Sequence, residues 1–81
     1  MTDLEIFAKM TIDKGGEWFT LERGDDYSIY ESKGKYMVNH NYFYESPVYQ
    51  IFDKNGNRVL ATTDMRIAFA KFNQLRSDKK W

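Results

Sequence analysis

His40 is the only histidine of the chain and the first candidate for proton transfer, because imidazole changes its charge near neutral pH. It sits between two asparagines in YMVNHNYFY, the stretch from Tyr36 to Tyr44. No acid stands beside it to orient the ring, and the chain has no cysteine for it to activate. The serines offer no nucleophile either. Ser28, Ser32, Ser46 and Ser77 lie in ordinary strand or turn contexts, without the glycine-flanked elbow that exposes a hydrolase serine. Asp25-Asp26 pairs two carboxylates, as acid–base catalysis requires, but within RGDD, a turn signal. These patterns predict a protein that is not an enzyme and holds no catalytic residue.

Ligand and metal patterns fare similarly. DKNGNRVLATTD places Asp53 first and Asp64 twelfth, as a calcium loop would. Its glycine falls fourth instead of sixth, however, and the bidentate glutamate is missing. Arg23-Gly24-Asp25 matches an adhesion tripeptide, a three-residue pattern that chance supplies and a turn explains. Gly15-Gly16 lacks the further glycines and the lysine of a phosphate loop. No metal and no cofactor is expected.

The 81 residues suffice for one compact domain, 1–81, and not for two. The absence of cysteine removes disulfides and thiolate metal sites. No apolar run approaches the ~20 residues needed to cross a bilayer, and no basic-then-apolar leader opens the chain, so a cytoplasmic protein without membrane contact is the expectation. Aromatic residues number 14, more than the 12 of valine, isoleucine and leucine together. Large rings suit a core built from little material, but each buried tyrosine hydroxyl needs a partner. Six tyrosines are too many for such a core, so some must lie at the surface. Net charge is zero, yet residues 1–32 carry −5 and residues 33–81 carry +5. Attraction between opposed elements of the fold is the simpler consequence.

The elements that would position these groups read as α+β. Thr2 and Glu5 have capping-box spacing, Leu4, Phe7 and Ala8 share a helical face, and Gly15-Gly16 ends a short first helix. From Glu17 to Thr62 the texture is β, broken at RGDD, SKGK, ESP and KNGN, with Asn55-Gly56 the strongest hairpin signal. Met65, Ala68, Phe69, Phe72 and Leu75 then form a helical stripe. Thr63 or Asp64 is its N-cap, and Arg76, Lys79 and Lys80 stand at its negative end. Phe69 and Phe72 are its expected anchors. The predicted fold is a single α+β domain: a four- to five-stranded antiparallel meander, a short N-terminal helix, and a longer C-terminal helix packed on one face.

YMVNHNYFY reads as a third strand starting at Lys35. Strict alternation gives neither of its faces an apolar character, so a bulge or bend near Asn39–Asn41 is expected to reset the register. Asparagine tolerates the backbone angles this requires. The aromatic residues before Pro47 would then be displayed. Surface tyrosines favour a protein interface, and the expected contact residues are Tyr30, Tyr42, Tyr44 and Tyr49, with Asp25, Asp26 and Glu31 as an acidic rim. A second reading is a single-stranded nucleic-acid binder using the same tyrosines with Lys33, Lys35 and Arg58. A third is a structural or assembly domain acting as a homo-oligomer; the chain is expected as a monomer or homodimer.

No family motif is matched. In layout (one domain, no cysteine, a short sheet flanked by helices, many tyrosines) the chain resembles small phage-encoded inhibitor proteins, anti-CRISPR proteins among them. That resemblance implies a protein that occupies a functional surface of a larger host protein or nucleoprotein complex, without catalysis. It carries over no residue.

Overall fold

Two neighbouring central strands of the sheet are apolar on both faces, and this places a helix on each side. The computed structural model describes residues 1–77; Lys79 and Lys80, expected at the end of the second helix, lie outside the described residues. In chain order the elements are α1 (Asp3–Asp13), β1 (Glu17–Arg23), β2 (Tyr27–Lys33), β3 (Lys35–Val38), β4 (Asn41–Tyr44), β5 (Val48–Asp53), β6 (Arg58–Thr62) and α2 (Met65–Ser77). Four strands form one antiparallel sheet in the order β1-β2-β5-β6, while β3 and β4 form a separate two-stranded sheet. The architecture is α+β, as the sequence predicts. Six strands stand where four or five are expected, because the predicted third strand is two.

Successive residues of a strand point to opposite faces. In β2 and β5 the residues Ile29 and Ile51 pair with each other and face α2, where Ala68 and Phe72 complete a fully buried cluster. Tyr30 and Phe52 point the other way, towards α1. There the Phe52 ring meets Phe7 at 6.2 Å, Trp18 at 6.2 Å and Tyr30 at 5.8 Å. On that side Gln50 donates to the Ser32 hydroxyl at 3.3 Å, which donates to the Val48 carbonyl at 3.4 Å. Two thin cores therefore share one sheet, and rings fill the one beneath the shorter helix.

The helix ends follow the local signals. Thr2 caps α1, its hydroxyl oxygen accepting from the Glu5 amide at 3.3 Å. Gly15, at φ 84°, closes it, since glycine enters the left-handed region without a steric penalty. Asp64 is the N-cap of α2, accepting from the Arg66 amide at 2.9 Å. At the β5–β6 turn the Asp53 carboxylate accepts from the amides of Asn55 and Asn57, both at 2.9 Å. The Asn57 backbone contact is the main cause holding the Asp53 carboxyl below its usual value. Gly56 lies there at φ 84°, packed so closely on Thr2 that a side chain would collide with it. Its carbonyl accepts from the Leu4 amide at 2.9 Å, which docks the start of α1 on this turn.

The opposed charges of the two halves do meet. Arg76 bonds Glu22 at 3.2 Å and Lys54 pairs with Asp26 at 3.7 Å. Glu22, Arg76 and Lys54 are solvent-exposed and Asp26 is half-buried, and pairs near the surface contribute little. No helix among the described residues is long and apolar enough to cross a membrane.

The two phenylalanines of α2 are unequal: Phe72 is fully buried, whereas Phe69 is only partly so. Phe72→Ala should cost about 3–5 kcal/mol and Phe69→Ala distinctly less. Denaturant unfolding of the two variants measures this. A loss under ~1 kcal/mol for Phe72→Ala would be incompatible with a core position.

Candidate functional site

β2 and β5 pair up to Ser32 and Val48, but the chain does not turn there. It continues past the sheet as β3 and β4, whose base is closed by the Glu45 amide donating to the Gly34 carbonyl at 2.8 Å. The radius of gyration, 13.9 Å, exceeds the ~12 Å expected of a compact chain of this length. The hairpin projects.

Its turn is Asn39-His40, at φ 51° and 66°. Two central residues with positive φ between paired Val38 and Asn41 define the two-residue primed hairpin turn, whose twist matches that of the flanking strands. The polar centre of YMVNHNYFY is therefore a tight turn and not a bulge. This corrects the sequence reading, which kept one bent strand. The usual signal for this turn is Asn-Gly; histidine in its place hides it, although asparagine and histidine are among the non-glycine residues most tolerant of positive φ.

The turn also re-sorts the side chains. Lys35, Met37, Tyr42 and Tyr44 share one face by pairing Lys35 with Tyr44 and Met37 with Tyr42. Tyr36, Val38, Asn41 and Phe43 share the other. On the first face the Lys35 ammonium stands 4.2 Å from the Tyr42 ring centroid, within cation–π range. On the second, Tyr36 and Phe43 stack with centroids 5.7 Å apart. All six large side chains are exposed, from Phe43 at 46% to Tyr42 at 63%. An isolated two-stranded hairpin is marginal in water, so these contacts and its base hold it in place. Glu17 lies beside Tyr44: hydrogen bonding to its carboxylate, followed by its charge, raises the Tyr44 phenol above its usual value. A groove of about 390 Å³ runs between the hairpin and the α1–β1 connection, lined by Asp13, Lys14, Gly15, Lys35, Tyr36, Met37 and Tyr42.

Of the contact residues expected from sequence, Tyr42 and Tyr44 are on this hairpin. Tyr30 and Tyr49 are not available to a partner: they are 8% and 7% exposed. Tyr30 packs on Trp18, with ring centroids 5.5 Å apart, and Tyr49 belongs to the core beneath α2. Burial, then a hydrogen bond to Glu31, pushes the Tyr49 phenol up. Glu31 thus serves a core tyrosine. Asp25 and Asp26 lie in the β1–β2 turn, at the far end of seven-residue β2, some 20 Å of strand from the hairpin. They form no rim around it; Glu17, Glu45 and Asp13 stand nearer. Lys33 lies over Phe19 at 5.7 Å and Arg58 over Phe7 at 4.4 Å, so of the three bases only Lys35 is on the hairpin. Tyr36, Met37 and Val38 are not legible in the sequence as displayed residues, since their exposure follows from the unrecognised turn; the display of Phe43 before Pro47 is expected.

Among the described residues no three histidine, aspartate or glutamate side chains converge to hold a metal ion. Compared with known protein families, curated proteins and solved structures, the chain matches none. Fold and site together define it as a small α+β domain with a projecting aromatic hairpin.

His40→Gly should relieve the left-handed strain of a side chain, worth about 1 kcal/mol. Hydrogen exchange of the hairpin amides should slow roughly five-fold; unchanged or faster exchange would contradict the turn geometry. The Tyr44–Glu17 contact sets a pH limit. Because the folded phenol titrates above its usual 10.0, the contact contributes in full below pH ~10 and is lost as pH rises through the raised value. Glu17→Gln should bring the Tyr44 titration down, as followed by NMR of labelled tyrosine.

Proposed function

We propose that this chain is a non-enzymatic protein-binding domain, and that β3–β4 is the part that docks on its partner. The observation carrying the proposal is the allocation of apolar material. Among the described residues the largest fully buried side chains are Phe52, Phe72, Ile29 and Ile51, whereas six large side chains of one ten-residue hairpin are exposed. Folding gains nothing from that arrangement, whereas exposed apolar patches of this kind mark interaction sites. Tyr42 and Tyr44, beside the groove at the α1–β1 connection, are the expected anchors, because tyrosine is enriched among residues that dominate binding energy. The finer reading is an inhibitor of phage type that occludes a functional surface of a larger protein or nucleoprotein complex. Its support is the layout alone.

Tyr42→Ala with Tyr44→Ala tests the site. Each anchor should contribute roughly 2 kcal/mol of binding, so the double variant should lose its partner while its melting temperature falls by only a few degrees. Affinity capture compared between the two proteins, with thermal melting of each, gives both readouts. Retained capture, or unfolding of the domain, would remove this hairpin face from consideration.

A single-stranded nucleic-acid role has one observation in its favour, the Lys35 ammonium beside the Tyr42 ring. A strand-binding groove needs bases that track the backbone beside stacked rings, and Lys33 and Arg58 are placed over other rings instead. Fluorescence anisotropy with labelled single strands at ~100 mM salt should therefore detect no tight complex. Submicromolar affinity with a steep salt slope would put this role first.

A further inference from the structure

The two helices are unequal in what they bury. α2 sinks Ala68 and Phe72 into the core, whereas no residue of α1 is buried. We propose that α1 is a lid: it opens as a unit on Gly15 while β2, β5 and α2 stay folded, and it thereby admits water to the sheet face around Gln50.

The helix is underpacked along its second half. A cavity of about 230 Å³ separates Phe7, Met10, Thr11 and Lys14 from Ser32 and Val48 of the sheet. Side chains that line such a gap lack contacts on one side. The same sheet face holds an unsatisfied group. Gln50 is 6% exposed, and its Oε1 has no hydrogen-bond partner among the described residues. Its amide nitrogen donates to Ser32 at 3.3 Å, so the group lies one hydrogen bond behind the cavity wall. A buried acceptor without a partner penalises the closed state, and water relieves that penalty once the helix lifts.

The hinge is in place. Gly15, at φ 84°, has open space where a side chain would start, whereas Gly16 is packed tightly against the Lys33 carbonyl. The chain is free to turn at one glycine and fixed at the next. What holds the lid shut lies towards its other end. The Leu4 amide donates to the Gly56 carbonyl at 2.9 Å, the Arg58 amide to the Asp3 carboxylate at 3.4 Å, and the Phe7 ring meets Phe52. A helix of 11 residues is too short to persist in water without a surface to dock on, so release and melting coincide. Opening carries Asp13 and Lys14 away from Tyr42, which dismantles one wall of the groove beside the hairpin. The use of the lid at that groove rests on the docking reading; the opening itself is a property of the chain alone.

Hydrogen exchange of the whole native chain tests this. The amides from Ile6 to Thr11 should share one protection factor, at least ~30-fold below the most protected amides of β2 and β5, because a partial opening requires less than global unfolding. Ile51→Val, in the core beneath α2, should lower the protection of β2 and β5 several-fold and leave that of α1 unchanged, since the open state keeps that core. Gln50→Met, which removes the unpaired oxygen, should raise the protection of α1 about five-fold. Equal protection of α1 and the central strands would overturn the proposal. So would an Ile51→Val chain in which both fall together, or a Gln50→Met chain whose α1 is no better protected. None of these measurements involves Tyr42, Tyr44 or a partner, so the lid and the docking reading fail separately.

Discussion

The pairing of β2 with β5 is the constraint on which the rest of the molecule depends. These strands are the only two of the four-stranded sheet with a neighbour on each side, and helices cover both of their faces. Ile29 and Ile51 anchor one core and Tyr30 and Phe52 the other. Remove the pairing and α2 has no floor, α1 has no ring cluster to dock on, and the hairpin has no stem. Because β3 and β4 continue the same two runs of chain, the geometry of the interior determines where the displayed surface points.

This explains how a small domain can carry so many rings. The aromatic residues divide into two populations by position along one long ribbon. In β2 and β5 they are flanked by β1 and β6 and covered by helices, although Phe19 on the edge strand β1 stays exposed; in the hairpin neither strand nor helix covers them. Gly34 and the Glu45 contact mark the border. The hairpin faces are held by ring stacking and by Lys35 over Tyr42, interactions that work at a water-exposed surface but are modest individually.

The electrostatics follow the same division. The acidic and basic halves of the chain neutralise each other around the sheet, through Glu22 with Arg76 and Asp26 with Lys54. The hairpin takes little part in this. Its contacts with charge include Glu17 at Tyr44 and Lys35 over Tyr42. One face is thus amphipathic and the other uncharged.

What the sequence determined by itself is whatever depends on neighbours along the chain. The caps at Thr2 and Asp64, the glycine stop after α1, the Asn55-Gly56 turn and the α2 stripe through Ala68 and Phe72 are all local effects, governed by backbone angles and helical period. The class of fold was legible from them. Tertiary structure alone decided which tyrosines are buried. Tyrosine carries both an apolar ring and a hydroxyl, so nothing in its type separates Tyr30 and Tyr49 from Tyr42 and Tyr44; the distinction lies in which strands run alongside and which helix lies above. The turn at Asn39-His40 was hidden for a related reason. Positive φ at a histidine is tolerated and not demanded, and the two-residue register that selects it exists only once Lys35 finds Tyr44 across the ribbon.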